Sequence, residues 1–234
     1  MSSKRTRLDR FLAKHLQVPR KQVRLVLLAN RITVDGDVVR EMDYQLHEFD
    51  QVALDGQLLR GDKPRHIMVH KPVGVVSATK DDIHPTVLDL LPEEERHGLH
   101  IVGRLDLNTS GLVLLTNDSR WSKALMAPDH HVAKEYLVTL QNPLSGDYIP
   151  VFRDGMYFGY EGITTLPATL EILSPYQAKV VLVEGKYHQI KRMFGRFRNP
   201  VVGLHRSRVG NLILDSDLPP GQWRHLTSGE IAAL

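Results

Sequence analysis

The sequence of 234 residues contains no cysteine, so disulfide bonds and metal sites with thiolate ligands are excluded. It also has no apolar run long enough to cross a bilayer, and its first residues lack the apolar segment of a secretion signal. The twelve histidines form no tight cluster of ligands, and no nucleotide-binding motif is present. We therefore predict a cytoplasmic protein that binds no membrane, no metal and no cofactor.

Charge is unevenly distributed, although the net charge is only +3. Residues 1–31 carry nine basic side chains and one acid, residues 32–62 carry two basic and eight acidic ones, and residues 184–208 carry seven basic ones and one acid. Two basic segments on a nearly neutral chain suggest two surfaces for a polyanion, and we favour nucleic acid over ordinary solvated surface. The basic residues are Lys4, Arg5, Arg7, Arg10, Lys14, Arg20, Lys21, Arg24 and Arg31 in the first segment, and Lys186, Lys191, Arg192, Arg196, Arg198, Arg206 and Arg208 in the second.

The first sixty residues have the pattern of two helices followed by short strands. Apolar residues recur at helical spacing in two stretches, and Pro19 suits the first turn of the second helix. Arg20, Lys21 and Arg24 lie off the apolar stripe of that helix, where they could face phosphates together. Asp35-Gly36 between apolar residues predicts a hairpin, and residues 51–54 predict another strand. The two apolar stripes are Leu8, Phe11, Leu12 and Leu16, and Val23, Val26 and Leu27.

A polar stretch that contains Gly61 and Pro64 follows this segment and is typical of a linker. We predict one domain over residues 1–60, a linker over 61–65 and a second domain over 66–234. Within the second domain, helices are predicted over 86–91, after Asp118 and over 228–234. The predicted strands are residues 67–69, 101–102, 112–115, 134–140, 170–173 and 178–183.

The loop between the second and third of these strands concentrates polar residues. Gly103 and Gly111 permit unusual backbone angles at its ends, and Arg104 and Asp106 lie between them. A carboxylate beside an arginine on a short loop held by two strands suits a positioned nucleophile or base. The residues alone favour the simpler alternative, a turn in which the aspartate hydrogen-bonds to its own backbone.

Several motifs together resemble the pseudouridine synthase family, in the branch that modifies ribosomal RNA. They are Lys71-Pro72-x-Gly74, Gly103-Arg104-Leu105-Asp106 with Thr109-x-Gly111-Leu112, Lys134-x-Tyr136, Gly185-Lys186-x-His188-Gln189-Ile190-Lys191, and Leu204-His205-Arg206-x-Arg208. The N-terminal segment resembles the S4 RNA-binding module through residues 7–12 and 29–36. The resemblance implies an α+β protein, with a small S4-like domain and a larger catalytic domain built on a mixed, mainly antiparallel sheet flanked by helices.

The resemblance also implies roles for individual residues. Asp106 would be catalytic, with Tyr136 against the target uracil and Lys191 as the cation paired with the carboxylate. Leu204 would wall the base pocket, with Val202 as the nearby alternative. The further implied substrate contacts are Arg104, Lys71 and Thr109, with Arg104 filling the vacated place in the RNA or holding a phosphate. The implied RNA contacts are Arg7, Arg10, Arg20, Lys21, Arg24, Lys186, His188, Arg192, Arg206 and Arg208.

The implied substrate is a uridine that leaves the RNA stack and is isomerised in place. Tyr187-His188 favours the small-subunit members of the family, which implies 16S ribosomal RNA, uridine-516 by resemblance, as free RNA or in an assembly intermediate. We expect a monomer. The alternatives are a synthase acting on 23S ribosomal RNA and a non-catalytic factor that binds ribosomal RNA. A glycosidase is disfavoured, because it needs a second carboxylate that no motif supplies.

Overall fold

The computed structural model describes residues 6–234. Lys4 and Arg5, which belong to the first predicted basic segment, lie outside the described residues. The described chain divides into two compact units. The first contains the residues up to Pro64 together with Asp118–Arg120, and the second contains Arg65–Asn117 and Trp121–Leu234.

The first unit combines two helices with short strands. Its sheet has the strand order β3-β2-β5-β6, and β1 pairs separately with β4. In chain order, the elements are β1 (Thr6–Arg7), α1 (Leu8–His15), α2 (Arg20–Leu28), β2 (Ile32–Val34), β3 (Asp37–Val38), β4 (Gln45–Leu46), β5 (Val52–Leu54) and β6 (Gln57–Arg60).

The core of this unit forms because the helices turn their apolar stripes toward the sheet. Leu8 and Leu12 of α1 are fully buried, as are Val23 and Leu27 of α2. The predicted hairpin is the β2–β3 pair, and Asp35 with its neighbouring glycine forms the turn with positive φ angles that a tight hairpin requires. The two predicted helices, the hairpin and the strand around residues 51–54 are therefore confirmed.

The second unit contains the longer strands and the remaining helices, except that Ser119 and Arg120, which begin the helix Ser119–Met126, belong to the first unit. In chain order, its elements are β7 (His66–Lys71), α3 (Glu93–Arg96), β8 (His100–Val102), β9 (Ser110–Thr116), α4 (Ser119–Met126), β10 (Lys134–Leu140), α5 (Tyr148–Asp154), β11 (Tyr157–Phe158), β12 (Ile163–Thr164), β13 (Thr169–Ser174), β14 (Gln177–Leu182), α6 (Gln189–Gly195), β15 (Val201–Val209), β16 (Leu212–Ile213), β17 (Trp223–His225) and α7 (Ser228–Ala232).

One large sheet organises this unit, with the strand order β13-β14-β10-β15-β9-β7-β17. Strand β8 pairs with β9, and β16 pairs with β15. Among the described strands, only β9 and β15 pair in parallel. The predicted α+β class with a mixed, mainly antiparallel sheet is therefore confirmed. No helix within residues 6–234 combines the length and the apolar character needed to cross a membrane.

The apolar run in β9 is continuous because both faces of this central strand are covered. Val113 and Leu115 join one buried cluster, and Leu112 and Leu114 join another on the opposite face. A further cluster gathers β10, β13, β14, α5 and α6. Tyr136 packs against this cluster and also against the one that contains Val113. Its ring therefore marks the boundary between two packed regions of the same sheet.

The helix predicted over 86–91 is wrong. The segment forms a turn in which Asp89 accepts hydrogen bonds from the backbone nitrogen and the hydroxyl of Thr86. Thr86 also forms a parallel bridge with Val76, which draws it away from a helical conformation. The short helix α3 follows instead, and its Glu95 forms an ion pair with Arg65.

Candidate active site

A cleft of about 470 Å³ lies on the second unit and has the size of a small-molecule site. The loop between β8 and β9 forms one wall, the segment leading into α6 forms another, and side chains from β10 and β15 form the floor. Among the predicted site residues, those that line the cleft are Arg104, Asp106, Thr109, Tyr136, Lys186, His188, Lys191 and Leu204.

Asp106 lies in this cleft with about a third of its side chain exposed. Its Oδ2 atom is 3.8 Å from the Nζ atom of Lys191 and 3.3 Å from the Nε2 atom of His188. Lys191 lies in the first turn of α6, and His188 is the residue that precedes this helix. One helix start therefore carries both nitrogens that contact the carboxylate.

Tyr136 and Leu204 come from adjacent antiparallel strands. Tyr136 on β10 lies opposite Arg206 on β15, and Val138 lies opposite Leu204. Side chains two residues apart on a strand share a face, so Tyr136 and Leu204 both point into the cleft. Val202 is 62% exposed and does not line the cleft, so of these two aliphatic residues Leu204 is the one that faces it.

The loop that carries Asp106 is fixed by a serine outside the motif. Ser77 is buried, and its hydroxyl donates to the carbonyl oxygen of Leu105 at 2.9 Å and accepts from the Leu105 backbone nitrogen at 3.0 Å. Leu105 is also buried in an apolar cluster. The residue immediately before Asp106 is therefore held through both of its backbone polar groups and its side chain.

Lys71 is fully buried, which argues against the substrate contact predicted for it. Its Nζ atom donates to the carbonyl oxygens of Pro72 at 2.9 Å and Thr109 at 2.6 Å. The pKa of Lys71 is lowered to about 8, mainly by burial; attraction to Asp106 opposes this shift, and repulsion from Arg206 adds to it. We therefore reassign Lys71 as a residue that positions the loop.

Arg206 is also buried, so the predicted RNA contact is replaced by a different role. Its guanidinium donates to the carbonyl oxygen of Gly103 at 2.6 Å and to that of Leu112 at 2.8 Å, which joins the two ends of the loop. A Cβ atom added at Gly111 would lie 2.6 Å from the Arg206 backbone nitrogen, and closer still to its carbonyl oxygen. Only glycine allows this close approach of the two strands.

Thr109 contributes to the cleft wall, but its side chain is almost fully buried. Within residues 6–234, its hydroxyl has no hydrogen-bond partner. Arg104 differs, because it lines the cleft and is exposed. Of the residues predicted to contact substrate, Arg104 and Leu204 are therefore directly accessible from the cleft.

The segment before α6 is held by a buried glutamine. Gln189 accepts from the backbone nitrogen of Lys186 at 2.9 Å and donates to Glu184 at 2.7 Å. Glu184 also accepts from the backbone nitrogen of Leu166. His188 has a positive φ angle of 49°, which directs the chain into α6. These contacts fix the residues that face Asp106.

The remaining predicted RNA contacts of this unit differ in how available their charged groups are to a phosphate. Lys186 is exposed at the cleft, with its Nζ atom 3.8 Å from Glu184. Arg192 forms a bidentate pair of hydrogen bonds with Glu161, and its guanidinium lies 3.8 Å from the centre of the Phe158 ring. Arg208 forms an ion pair with Glu135. Lys186 is thus freer than the two arginines to contact a phosphate.

In the first unit, Arg10, Lys21 and Arg24 are exposed. Arg7 and Arg20 both form ion pairs with the buried Asp9. Burial acts to raise the pKa of Asp9, but hydrogen bonds from Arg20 and Arg7 outweigh it, so the pKa is lowered. Asp9 is thus an ion-pair residue. The same ion pairs hold Arg7 and Arg20, two of the predicted RNA contacts, against the helix pair.

The functional residues that sequence reasoning missed are Ser77, Glu184 and Gln189, together with the positioning roles of Lys71 and Arg206. Gln189 stands in one of the family motifs, but its contacts to Lys186 and Glu184 hold its own segment. The other four residues contact backbone groups of another segment, and a one-dimensional pattern contains no signal for such contacts. No group of three or more His, Asp or Glu side chains among the described residues could hold a metal ion. The arrangement as a whole offers one carboxylate with nearby cations, and an aromatic and an aliphatic surface beside it.

Two protein families match consecutive parts of the chain. The family described as RNA pseudouridylate synthase matches residues 65–195, and the S4 domain matches residues 6–52. The first match covers the cleft residues from Arg104 to Lys191, and the second covers helices α1 and α2.

Relatives and a solved structure match nearly the whole length. The protein named ribosomal small subunit pseudouridine synthase A from Pseudomonas aeruginosa is 48% identical over 97% of this chain and 100% of its own. Its namesake from Escherichia coli (strain K12) is 45% identical over 97% of this chain and 99% of its own. A crystal structure of a pseudouridylate synthase is similar with a TM-score of 0.71 and 37% identity, covering 97% of this chain and 98% of the other.

Proposed function

The chain belongs to the RNA pseudouridylate synthase family, and we propose that it converts a uridine of 16S ribosomal RNA to pseudouridine, uridine-516 by family resemblance. The observation that carries the proposal is the meeting of Asp106, Tyr136, Lys191 and Leu204 in one cleft. These residues are up to about a hundred positions apart in the sequence, yet each stands in a motif that resembles one of the family's motifs.

The reaction needs no external group. The bond between N1 of uracil and C1′ of ribose breaks, the base rotates, and a bond from C5 to C1′ forms while C5 loses a proton and N1 gains one. Asp106 is the carboxylate that acts on the nucleoside, by attack on C1′ or C6 or by assisting a glycal-like intermediate. Lys191 balances its charge at 3.8 Å.

The other cleft residues hold the extruded base. Tyr136 provides a flat surface for stacking on uracil, and its hydroxyl can relay a proton from the sugar. Leu204 covers the base from the neighbouring strand. Arg104 is exposed at the same cleft, where it fills the vacated position in the RNA or holds a phosphate. Extrusion of the base costs a few kcal/mol, which these contacts offset.

RNA binding is shared between the two domains. We assign residues 1–60 to the S4-like RNA-binding domain, 61–65 to a linker and 66–234 to the catalytic domain. The exposed Arg10, Lys21 and Arg24 support phosphate contacts by the first domain, and Lys186 supports them at the cleft. A ribosomal RNA substrate agrees with the cytoplasmic location predicted from the sequence, and the monomeric state stays a prediction.

Mapping of pseudouridine in ribosomal RNA tests the function. The purified protein is incubated with unmodified 16S and 23S transcripts and with a small-subunit assembly intermediate, and each pseudouridine is located by chemical labelling and reverse transcription. A deletion strain provides the matching test in cells. We expect one new pseudouridine in 16S RNA and its loss from the deletion strain. Modification of 23S RNA would reassign the substrate, and binding without modification would identify a non-catalytic factor.

A further inference from the structure

Tyr187 is an exposed aromatic ring at the rim of the cleft. It lines the cleft, and 75% of the residue is exposed. The proposed roles of Asp106, Tyr136 and Lys191 do not require it. The ring therefore needs a separate explanation.

The ring is held in a fixed position by its neighbour. Tyr187 stacks on His188 with a centroid distance of 3.9 Å and an interplanar angle of 19°. His188 in turn lies 3.3 Å from Asp106. Gln189 fixes the surrounding segment through the backbone of Lys186, so little conformational freedom remains to be lost on binding. One face of the Tyr187 ring is covered by His188, and the opposite face is open.

The charges around the ring suit RNA. Lys186 precedes Tyr187 and is exposed, and Arg104 is exposed at the same cleft. The nearest acid in sequence, Glu184, is engaged by Gln189 and lies near Lys186. Aromatic rings flanked by cations are the usual surface for unpaired nucleotides, with bases stacked on the rings and phosphates held by the cations.

We propose that the open face of Tyr187 is a binding subsite for the base of a nucleotide next to the target uridine. This inference rests on the proposed function. When the uridine leaves the stack, each flanking base loses one stacking neighbour. The Tyr187 ring stacks on His188, which contacts Asp106. It can therefore replace the lost stacking neighbour of the base beside the reacting nucleotide.

The test uses a short RNA that the wild-type protein modifies, with 2-aminopurine placed on either side of the target uridine. Stacking on Tyr187 changes the fluorescence of one of these probes. We expect Tyr187→Leu to abolish that change and to raise KM between about fivefold and a hundredfold, the range for loss of one stacked base. Tyr187→Phe should restore both. Tyr176→Leu is the control, because Tyr176 is exposed on a turn outside the cleft.

An abasic nucleotide at the same flanking position completes a double-mutant cycle. If the base stacks on Tyr187, its removal weakens binding as Tyr187→Leu does, and combining the two changes adds little further loss. Independent, additive losses would overturn the inference. It would also fail if Tyr187→Leu affected only the modification of assembly intermediates, since that result points to a protein contact. If wild-type protein forms no pseudouridine, the proposed function itself fails. If the wild-type protein modifies the RNA and Tyr187→Leu modifies it equally well, the subsite is rejected and the proposed function stands.

Discussion

Lys71→Met should change the way in which stability depends on pH. Lys71 is fully buried, and its pKa is lowered from 10.5 to about 8. Below pH 8 the folded and unfolded states both carry its proton. Between about pH 8 and 10.5 the unfolded state binds the proton and the folded state does not, so the free energy of unfolding rises with pH. Methionine removes this contribution.

The size of the effect follows from the two pKa values. With a folded pKa of about 8 and an unfolded pKa of 10.5, the difference in unfolding free energy between wild type and Lys71→Met should increase by about 2 kcal/mol from about pH 7 to about pH 9.5. Removal of the ammonium also leaves the carbonyl oxygens of Pro72 and Thr109 without this donor, so the variant should be less stable throughout the range.

Urea unfolding followed by tryptophan fluorescence measures this difference. Both tryptophans, Trp121 and Trp223, belong to the second unit, which contains Lys71. Lys80→Met is the control for loss of an exposed lysine in the same unit. If the difference in unfolding free energy between wild type and Lys71→Met stays constant over the pH range, the lowered pKa assigned to the buried Lys71 is refuted.

Three further predictions concern the cleft and the strand beside it. Lys191→Ala should lower kcat by about 10²-fold or more because the cation beside Asp106 is lost. Lys186→Ala should mainly raise KM, and steady-state kinetics distinguish the effect on kcat from the effect on KM. Tyr136→Phe should keep RNA affinity and lower kcat by about 10²-fold, which filter binding and single-turnover assays would check. Gly111→Ala should reduce the unfolding free energy by about 3 kcal/mol or more, because its Cβ would meet the backbone of β15. Gly221→Ala, with positive φ but open space, should cost only about 1 kcal/mol in the same denaturation assay.

Elements with a local pattern could be predicted from the sequence. The stripes of α1 and α2 and the strand β10 follow from residue spacing, because each element buries one face against a neighbour. The segment 86–91 could not be predicted, because Thr86 pairs with Val76 and Asp89 hydrogen-bonds to Thr86. These contacts outweigh the weak helical preference of the segment.

The site was predictable only through motifs. Asp106 and Lys191 are eighty-five positions apart, so their contact belongs to the tertiary structure. The roles of Lys71 and Arg206 were not predictable, because lysine and arginine are mostly exposed in proteins and basic residues near a polyanion site suggest phosphate contacts. Their burial emerges only when the sheet brings β7 and β15 beside the loop.

The most direct test of the central claim is the activity of Asp106→Asn with RNA binding measured in parallel. The amide preserves the size of the side chain and removes the carboxylate. We predict RNA affinity close to wild type with no detectable pseudouridine, while the exposed Asp129→Asn control remains fully active. Pseudouridine formed by Asp106→Asn at the wild-type rate would contradict the assignment of this carboxylate as the catalytic group.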